Sequence, residues 1–204
     1  MHALKKFFIP GAAGNIEGVA HLPDAAPRAI AVVAHPLSTM GGTMDNKVVT
    51  TLAKTFVELG FVALRFNFRS VDGSEGEFDE GNGEVEDVLA VAHYARHEYG
   101  DLPLILSGFS FGGYVQACAA QQLHPHRMVL VAPAVGRFAM PPVPSNTLLI
   151  HGDLDQVVPL SDVLFWGRSQ QLPIVVLPGA EHFFHGRLSQ IRQIVLHEFN
   201  GQRL

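Results

Sequence analysis

Cysteine is almost absent from this chain of 204 residues, where Cys118 is the single example. One cysteine cannot form a disulfide within the chain, so no disulfide framework holds the fold together. The apolar run that follows Lys5 and Lys6 ends at Pro10, which is too short for the core of a signal peptide. We therefore expect a cytoplasmic protein.

Long apolar runs and blocks of like charge are missing as well. No segment approaches the roughly 18 consecutive apolar residues of a membrane-spanning helix, so we expect no membrane partner. The formal net charge is -5, and the 14 Lys and Arg residues are scattered along the chain. Proteins that bind nucleic acid present a basic face to the phosphate backbone, so we expect no nucleic-acid partner either.

Apolar residues make up 48% of the chain and alternate between two kinds of segment. Short runs rich in Val, Ile and Leu predict buried parallel strands at residues 29–35, 61–68, 103–110, 127–133, 146–152 and 173–179. Longer amphipathic segments predict helices at residues 46–59, 84–99, 111–122, 161–171 and 187–199. This alternation predicts an α/β fold with a doubly wound, mostly parallel sheet and helices on both faces, in one domain over residues 1–204. Two further strands, within residues 7–11 and 16–23, are predicted to form an antiparallel edge.

The connection between the fourth and fifth of these parallel strands is short. About twelve residues separate Pro133 from Asn146, and three of them are prolines that oppose a helical hairpin: Pro141, Pro142 and Pro144. The connection therefore has no room for a helical cap domain.

A glycine-flanked serine lies at the junction of a predicted strand and a predicted helix, in Gly108-Phe109-Ser110-Phe111-Gly112. The pattern G-x-S-x-G at such a junction is typical of a sharp turn that lifts the hydroxyl above the sheet, near the positive end of the helix dipole. The turn needs small neighbours, which the glycines provide. We predict that Ser110 is a nucleophile; the alternative is a glycine-rich turn with an incidental serine.

A serine hydroxyl needs a base to become a nucleophile, and two later segments offer acids and histidines. Asp153 and Asp155 follow the predicted strand 146–152, and His182 and His185 follow the strand 173–179. Ligands in open α/β sheets bind beyond the carboxyl ends of the strands, where both segments lie. The residues alone leave either aspartate and either histidine open.

These motifs resemble those of the α/β-hydrolase superfamily, in particular a lidless bacterial group of serine hydrolases related to dienelactone hydrolases. The resemblance covers essentially the whole chain and includes residues 34–49, 65–87, 108–113, 151–159 and 178–184. It implies the α/β-hydrolase fold without a cap domain. Dienelactone hydrolases carry a cysteine nucleophile where this chain has Ser110, so their lactone chemistry is not carried over.

The resemblance also implies which residues assist Ser110. The acid in the pattern H-G-x-x-D-x-V-V-P matches Asp155, and the histidine in G-A-x-H-F-F matches His182. They follow the serine in the order usual for this fold. His182 would then remove the proton from Ser110 and pass it to the leaving group, while Asp155 fixes the imidazole tautomer.

Two backbone N–H groups are needed to stabilise an oxyanion, and two positions are predicted to provide them. One is Phe111, directly after the nucleophile. The other is Leu37, because Pro36 has no N–H. We expect His35 to brace that loop through its ring. Apolar walls for the substrate are predicted at Met40, Phe109, Phe111, Phe183 and Phe184.

The remaining motifs give weaker indications of function. Arg69 is predicted to pair with an acid of its own loop, residues 69–83, rather than to bind a substrate carboxylate. The histidine pairs in residues 124–126 and 182–185 lack a third ligand nearby, so we expect no metal. We expect no cofactor.

The sequence therefore predicts a serine hydrolase, and specifically a carboxylesterase that cleaves small or medium acyl esters through an acyl-enzyme intermediate. A thioesterase or a small amidase would use the same residues. A binding protein on a hydrolase scaffold that has lost its activity is the alternative from another class. The oligomeric state is left open.

Overall fold

A computed structural model describes residues 3–200 of the chain. They form an eight-stranded sheet with the order β1-β2-β4-β3-β5-β6-β7-β8. The strands are β1 Ala3–Gly11, β2 Gly14–Leu22, β3 Ile30–Ala34, β4 Val62–Phe66, β5 Leu104–Phe109, β6 Arg127–Val131, β7 Leu148–Gly152 and β8 Ile174–Leu177. The helices are α1 Lys47–Glu58, α2 Asn82–Tyr99, α3 Phe111–Leu123, α4 Leu160–Gln170 and α5 Leu188–Phe199, and a short 3₁₀ turn spans Ser38–Met40.

Strands β3 to β8 run parallel, whereas β1 pairs antiparallel with β2, and β2 antiparallel with β4. The predicted mostly parallel sheet and its antiparallel edge are both confirmed. Every residue of β3, β4, β5, β6 and β7 is buried. That burial on both faces explains why these strands are largely apolar, with little polar alternation, in the sequence.

Helices cover both faces of the sheet, as the alternating pattern predicts. Successive residues of β3 point to opposite faces: Val32 packs into the core shared with α2, α3 and α4, and Val33 into the core shared with α1 and α5. Each fully buried Val, Leu or Phe side chain contributes about 1.5–3 kcal/mol, so both layers stabilise the sheet substantially.

The segment that joins β6 to β7 contains no helix, so the predicted absence of a cap in this connection is confirmed.

Strand β6 ends two residues earlier than predicted because Ala132 adopts a left-handed φ of 42°. Helix α2 begins earlier than predicted, after Gly81, whose N–H donates to the Glu84 carboxylate at 2.8 Å. Within residues 3–200, no helix is long and apolar enough to cross a membrane.

Candidate active site

The turn between β5 and α3 places Ser110 in a strained backbone conformation, with φ 54° and ψ -118°. A Cβ atom added to Gly108 would lie 2.4 Å from backbone atoms of Gly112, and one added to Gly112 would lie 2.5 Å from the carbonyl oxygen of Ala34. Since no side chain fits at these contacts, the turn accepts only glycine at both positions. The Ser110 N–H donates to the carbonyl of Val131 at 3.0 Å, which ties the turn to β6.

His182 lies between a hydroxyl and a carboxylate. Its Nε2 is 3.0 Å from Ser110 Oγ, and its Nδ1 is 2.7 Å from Asp155 Oδ2. All three residues are buried. The structure thus brings together, in one continuous hydrogen-bonded series, the serine, the acid and the histidine that the resemblance implies.

The two aspartates after β7 have different partners. Asp155 Oδ1 accepts hydrogen bonds from the N–H groups of Val157 and Val158, at 2.9 and 2.8 Å, which leaves Oδ2 for His182. Asp153 is exposed, and its Oδ1 accepts from the N–H of Gly179 at 2.6 Å. The contact with the histidine is therefore made by Asp155.

Asp155 is held in its ionised form. Burial alone would raise the pKa of its carboxyl, but the hydrogen bonds from His182 and from the Val158 N–H outweigh burial, so the pKa lies below its ordinary value. A carboxylate next to Nδ1 keeps the proton of the neutral imidazole there, and Nε2 then faces Ser110 as an acceptor.

A second histidine lies near this carboxylate and was given no role in the sequence-based prediction. His151, the fourth residue of β7, is fully buried, and its Nε2 lies 2.9 Å from the Val158 carbonyl oxygen and 3.6 Å from Asp155 Oδ2. Burial lowers the pKa of His151, so the ring is neutral. His151 lies in a strand and Asp155 in the loop that follows it, so no helical spacing indicates their proximity in the sequence.

The backbone N–H groups of Leu37 and Phe111 have no hydrogen-bond acceptor in the part of the chain that the structure describes. The Leu37 loop is braced by His35, as expected. Its Nδ1 donates to the Pro36 carbonyl at 2.6 Å, and its Nε2 accepts from the Phe68 N–H at 3.0 Å. Both N–H groups are thus free to bind an anionic oxygen.

A cavity of about 220 Å³ opens beside Ser110 and His182. Its apolar lining includes two of the predicted walls and three residues that were not predicted as walls: Met40, Phe183, Pro36, Leu37 and Val157. Its polar lining includes Asn46, the N-cap of α1, and Arg137, which lies in the connection after β6; neither was predicted as a site residue.

Three predicted walls are wrong. Phe109 is fully buried beneath His182, with the ring centroids 5.1 Å apart, and does not line the cavity. Phe184 is fully buried in the same core, and the Phe111 ring is buried in the core of the opposite face. At these three positions the apolar side chain stabilises the fold. The cavity is lined instead by exposed apolar side chains such as Met40 and Phe183.

Arg69 forms a salt bridge, but not with its own loop. Its Nη2 lies 2.9 Å from Asp87 Oδ1 and 3.2 Å from Glu86 Oε2, and both acids belong to α2. The prediction of an ion pair is confirmed and its partners are corrected: helix α2 returns beside the end of β4, which the sequence does not reveal. No group of three His, Cys, Asp or Glu side chains in residues 3–200 is arranged to hold a metal ion.

The fold and this arrangement define an α/β hydrolase. Residues 25–163 match the hydrolase family model described as serine aminopeptidase, S33, and the chain belongs to this family. The matched range includes Ser110 and Asp155, while His182 lies beyond it.

Three relatives are similar over nearly the full chain. XC6422 from Xanthomonas campestris, an α/β serine hydrolase without lid, is 39% identical with a TM-score of 0.92, covering 96% of this chain and 93% of that one. An α/β serine hydrolase homologue from Coxiella burnetii is 39% identical with a TM-score of 0.89, covering 95% and 96%. The uncharacterized protein RP471 of Rickettsia prowazekii (strain Madrid E) is 31% identical, over 94% of this chain and 87% of its own.

Proposed function

We propose that this protein is a carboxylesterase that cleaves small or medium acyl esters. The observation that carries the proposal is the position of His182, within hydrogen-bond distance of Ser110 Oγ and Asp155 Oδ2 at once, at 3.0 and 2.7 Å. A base at this distance can take the hydroxyl proton as the oxygen attacks, and the carboxylate stabilises the imidazolium that results.

The reaction proceeds in two halves. Ser110 Oγ attacks the ester carbonyl carbon while His182 Nε2 takes its proton, and the oxyanion is held by the N–H groups of Leu37 and Phe111. The resulting tetrahedral intermediate then collapses, and the bond between the carbonyl carbon and the alcohol oxygen breaks. The leaving alcohol receives the proton from His182, and the acyl group stays on Ser110. Water then attacks the acyl group with His182 again as the base, which releases the acid and restores the serine.

The lining of the cavity supports an ester rather than a peptide with a free amino terminus. An enzyme that removes amino-terminal residues needs a group to bind the ammonium, and a carboxylate is the usual choice. Among the described residues that line the cavity, the one with a permanently charged side chain is Arg137, which would repel an ammonium. The aminopeptidase activity in the name of the family is therefore not what we propose for this chain.

The open connection between β6 and β7 supports small substrates. No helix covers the cavity from this side, and Met40 and Phe183 on its wall are 79% and 51% exposed. A long acyl chain would find little surface to bury against.

A thioesterase or a small amidase is the second candidate, because the name of the family includes amide cleavage and the same three side chains would act on either bond. Hydrolysis of matched butyryl derivatives, one each of an oxygen ester, a thioester and an anilide, separates the three activities. We expect the oxygen ester to have the highest kcat/KM.

The test of the whole proposal is covalent labelling. A fluorophosphonate reacts only with an activated serine, so we expect one adduct, assigned to Ser110 by fragment-ion mass spectrometry and absent from Ser110→Ala. The matched control is Ser107, which precedes it on β5 with its hydroxyl bonded to the Val129 carbonyl and stays unlabelled. Absence of any adduct would support the binding protein instead.

A further inference from the structure

One cation lines the cavity beside Ser110 without a charged partner. Arg137 has no ion pair or hydrogen bond to its side chain within residues 3–200, whereas the buried Arg69 is fully paired. The whole chain carries a net charge of -5, so its overall field repels anions. Among the described side chains that line the cavity, Arg137 is the permanent positive charge that can attract a substrate carboxylate.

The loop that carries Arg137 is attached to the turn that carries Ser110. Three residues before it, the Ala134 N–H donates to the carbonyl oxygen of Ser110 at 3.2 Å. Directly after it, the ring of Phe138 stacks on Tyr114 with centroids 4.6 Å apart, and Tyr114 lies in the helix that begins after Ser110. The loop is thus attached on both sides of Arg137 to the turn that carries the serine.

The surroundings leave the guanidinium available. Its Cζ lies 5.9 Å from the centroid of the Phe138 ring, a contact that orients the planar group without using its N–H donors. Asp162 lies close to the neighbouring Gly136, where an added Cβ would be 2.8 Å from its Oδ2; it accepts a hydrogen bond from Ser161 at 3.2 Å and does not line the cavity. The side chain of Arg137 is therefore exposed, and its N–H donors have no acceptor among residues 3–200.

We propose that Arg137 binds a carboxylate on the substrate, and that the preferred substrates are monoesters of short dicarboxylic acids. The guanidinium matches a carboxylate in a planar, two-pronged hydrogen bond. Because Arg137 and Ser110 line one cavity of about 220 Å³, the carboxylate lies only a few carbons from the carbonyl that is attacked. This inference rests on ester hydrolysis at Ser110.

The test compares two substrates of equal size. Monoethyl glutarate carries the carboxylate, and ethyl glutaramate replaces it with a neutral amide; ethanol release measures both. We expect the protein to favour the glutarate in kcat/KM by about five- to tenfold, the effect of a charge-assisted hydrogen bond at a partly exposed site. Added salt at about 0.5 M should reduce this preference, since exposed charges are screened.

Two variants locate the effect. Arg137→Gln should abolish the preference, and Arg137→Lys should keep part of it. The control is Arg28→Gln, which removes one positive charge from an exposed position just before β3, at the opposite end of that strand from the Leu37 loop, and should retain the full preference.

The outcomes separate this inference from the proposed function. Equal preference in the parent protein and Arg137→Gln, with the neutral ester hydrolysed and Ser110 labelled by fluorophosphonate, would overturn the role of Arg137 alone. No hydrolysis of either ester and no labelling of Ser110 would overturn both proposals.

Discussion

His151 lies beside Asp155 in the interior of the protein, with its Nε2 3.6 Å from Oδ2 and both side chains fully buried. The same Nε2 donates to the Val158 carbonyl at 2.9 Å, and the Val158 N–H donates to Asp155 Oδ1 at 2.8 Å. His151 therefore holds the loop that presents the carboxylate to His182. In the proposed reaction it would be a positioning residue, because its contacts reach His182 only through Asp155.

We expect His151→Phe to lower kcat by about five- to tenfold with little change in KM, because it removes a buried hydrogen bond of about 1 kcal/mol that orients the acid. His151→Gln keeps a donor and should recover part of kcat. Steady-state kinetics of both variants, with thermal melts to check folding, measure this. A variant with unchanged kcat, or a loss found only in the melting temperature, contradicts the positioning role.

Ser110→Ala should reduce ester hydrolysis by about 10³-fold or more and leave the fold intact, because it removes the nucleophile and nothing in the core. Hydrolysis of p-nitrophenyl butyrate and the circular dichroism spectrum provide the two readouts. Activity above about a hundredth of that of the parent protein would show that another residue attacks the ester.

Asp155→Asn should lower kcat by about 10²- to 10⁴-fold, since an amide can donate to Nδ1 and favour the wrong imidazole tautomer. Asp153→Asn is the matched control two residues earlier. It weakens a hydrogen bond to the Gly179 N–H and should cost stability of about 1 kcal/mol but little turnover. Equal losses of kcat, or a larger loss at Asp153, would reverse the assignment of the acid.

Acyl chain length should matter only over the first few carbons. An acyl chain bound in a deep tunnel gains about 0.8 kcal/mol of binding free energy for each CH₂ that is buried. The open cavity of this protein buries few CH₂ groups. We expect kcat/KM for p-nitrophenyl esters to be highest for short chains and to show no jump when micelles form. A steady rise to palmitate, or activation at the micellar threshold, would mean that another segment closes over the cavity.

The stability of the protein should fall in mild acid, in part because of His35. Burial lowers the pKa of its ring from 6.5 to about 4, so between these values the unfolded chain binds a proton that the folded chain excludes. The loss of folding free energy is below about 0.5 kcal/mol above pH 6.5 and grows as the pH drops, to about 3 kcal/mol at pH 4.

Urea unfolding of the parent protein and His35→Gln between pH 7 and pH 4 measures this contribution. The variant cannot take up the proton, so its free energy of unfolding should depend less steeply on pH. Parallel pH dependence in the two proteins would assign the acid sensitivity to other groups.

The sequence by itself determined the strands, the helices and the turn at Ser110. Strands buried on both faces are mostly apolar, and a Cβ on Gly108 would meet the backbone of Gly112 only four residues later, so both features can be recognised within a single segment of the sequence. The missing cap also followed from a short, proline-rich connection. These features depend on neighbours in the chain, which a sequence displays.

Only the tertiary structure decided which side chains meet. Asp153 and Asp155 are two residues apart, and the choice between them depends on how the loop after β7 folds against Gly179, Val157 and Val158. Phe109 adjoins Ser110 in the chain, yet its ring lies beneath His182, away from the cavity.

Arg137 and His151 are two residues whose place at the site could not be predicted from the sequence. Arg137 reaches the cavity because a backbone hydrogen bond links its loop to Ser110. His151 lies beside Asp155 because both side chains form hydrogen bonds with the backbone of Val158. Contacts between loops arise from the closure of the whole sheet and its helices. Periodicity and spacing describe one segment at a time, so the partners of a charged or polar side chain become defined only when the segments pack together.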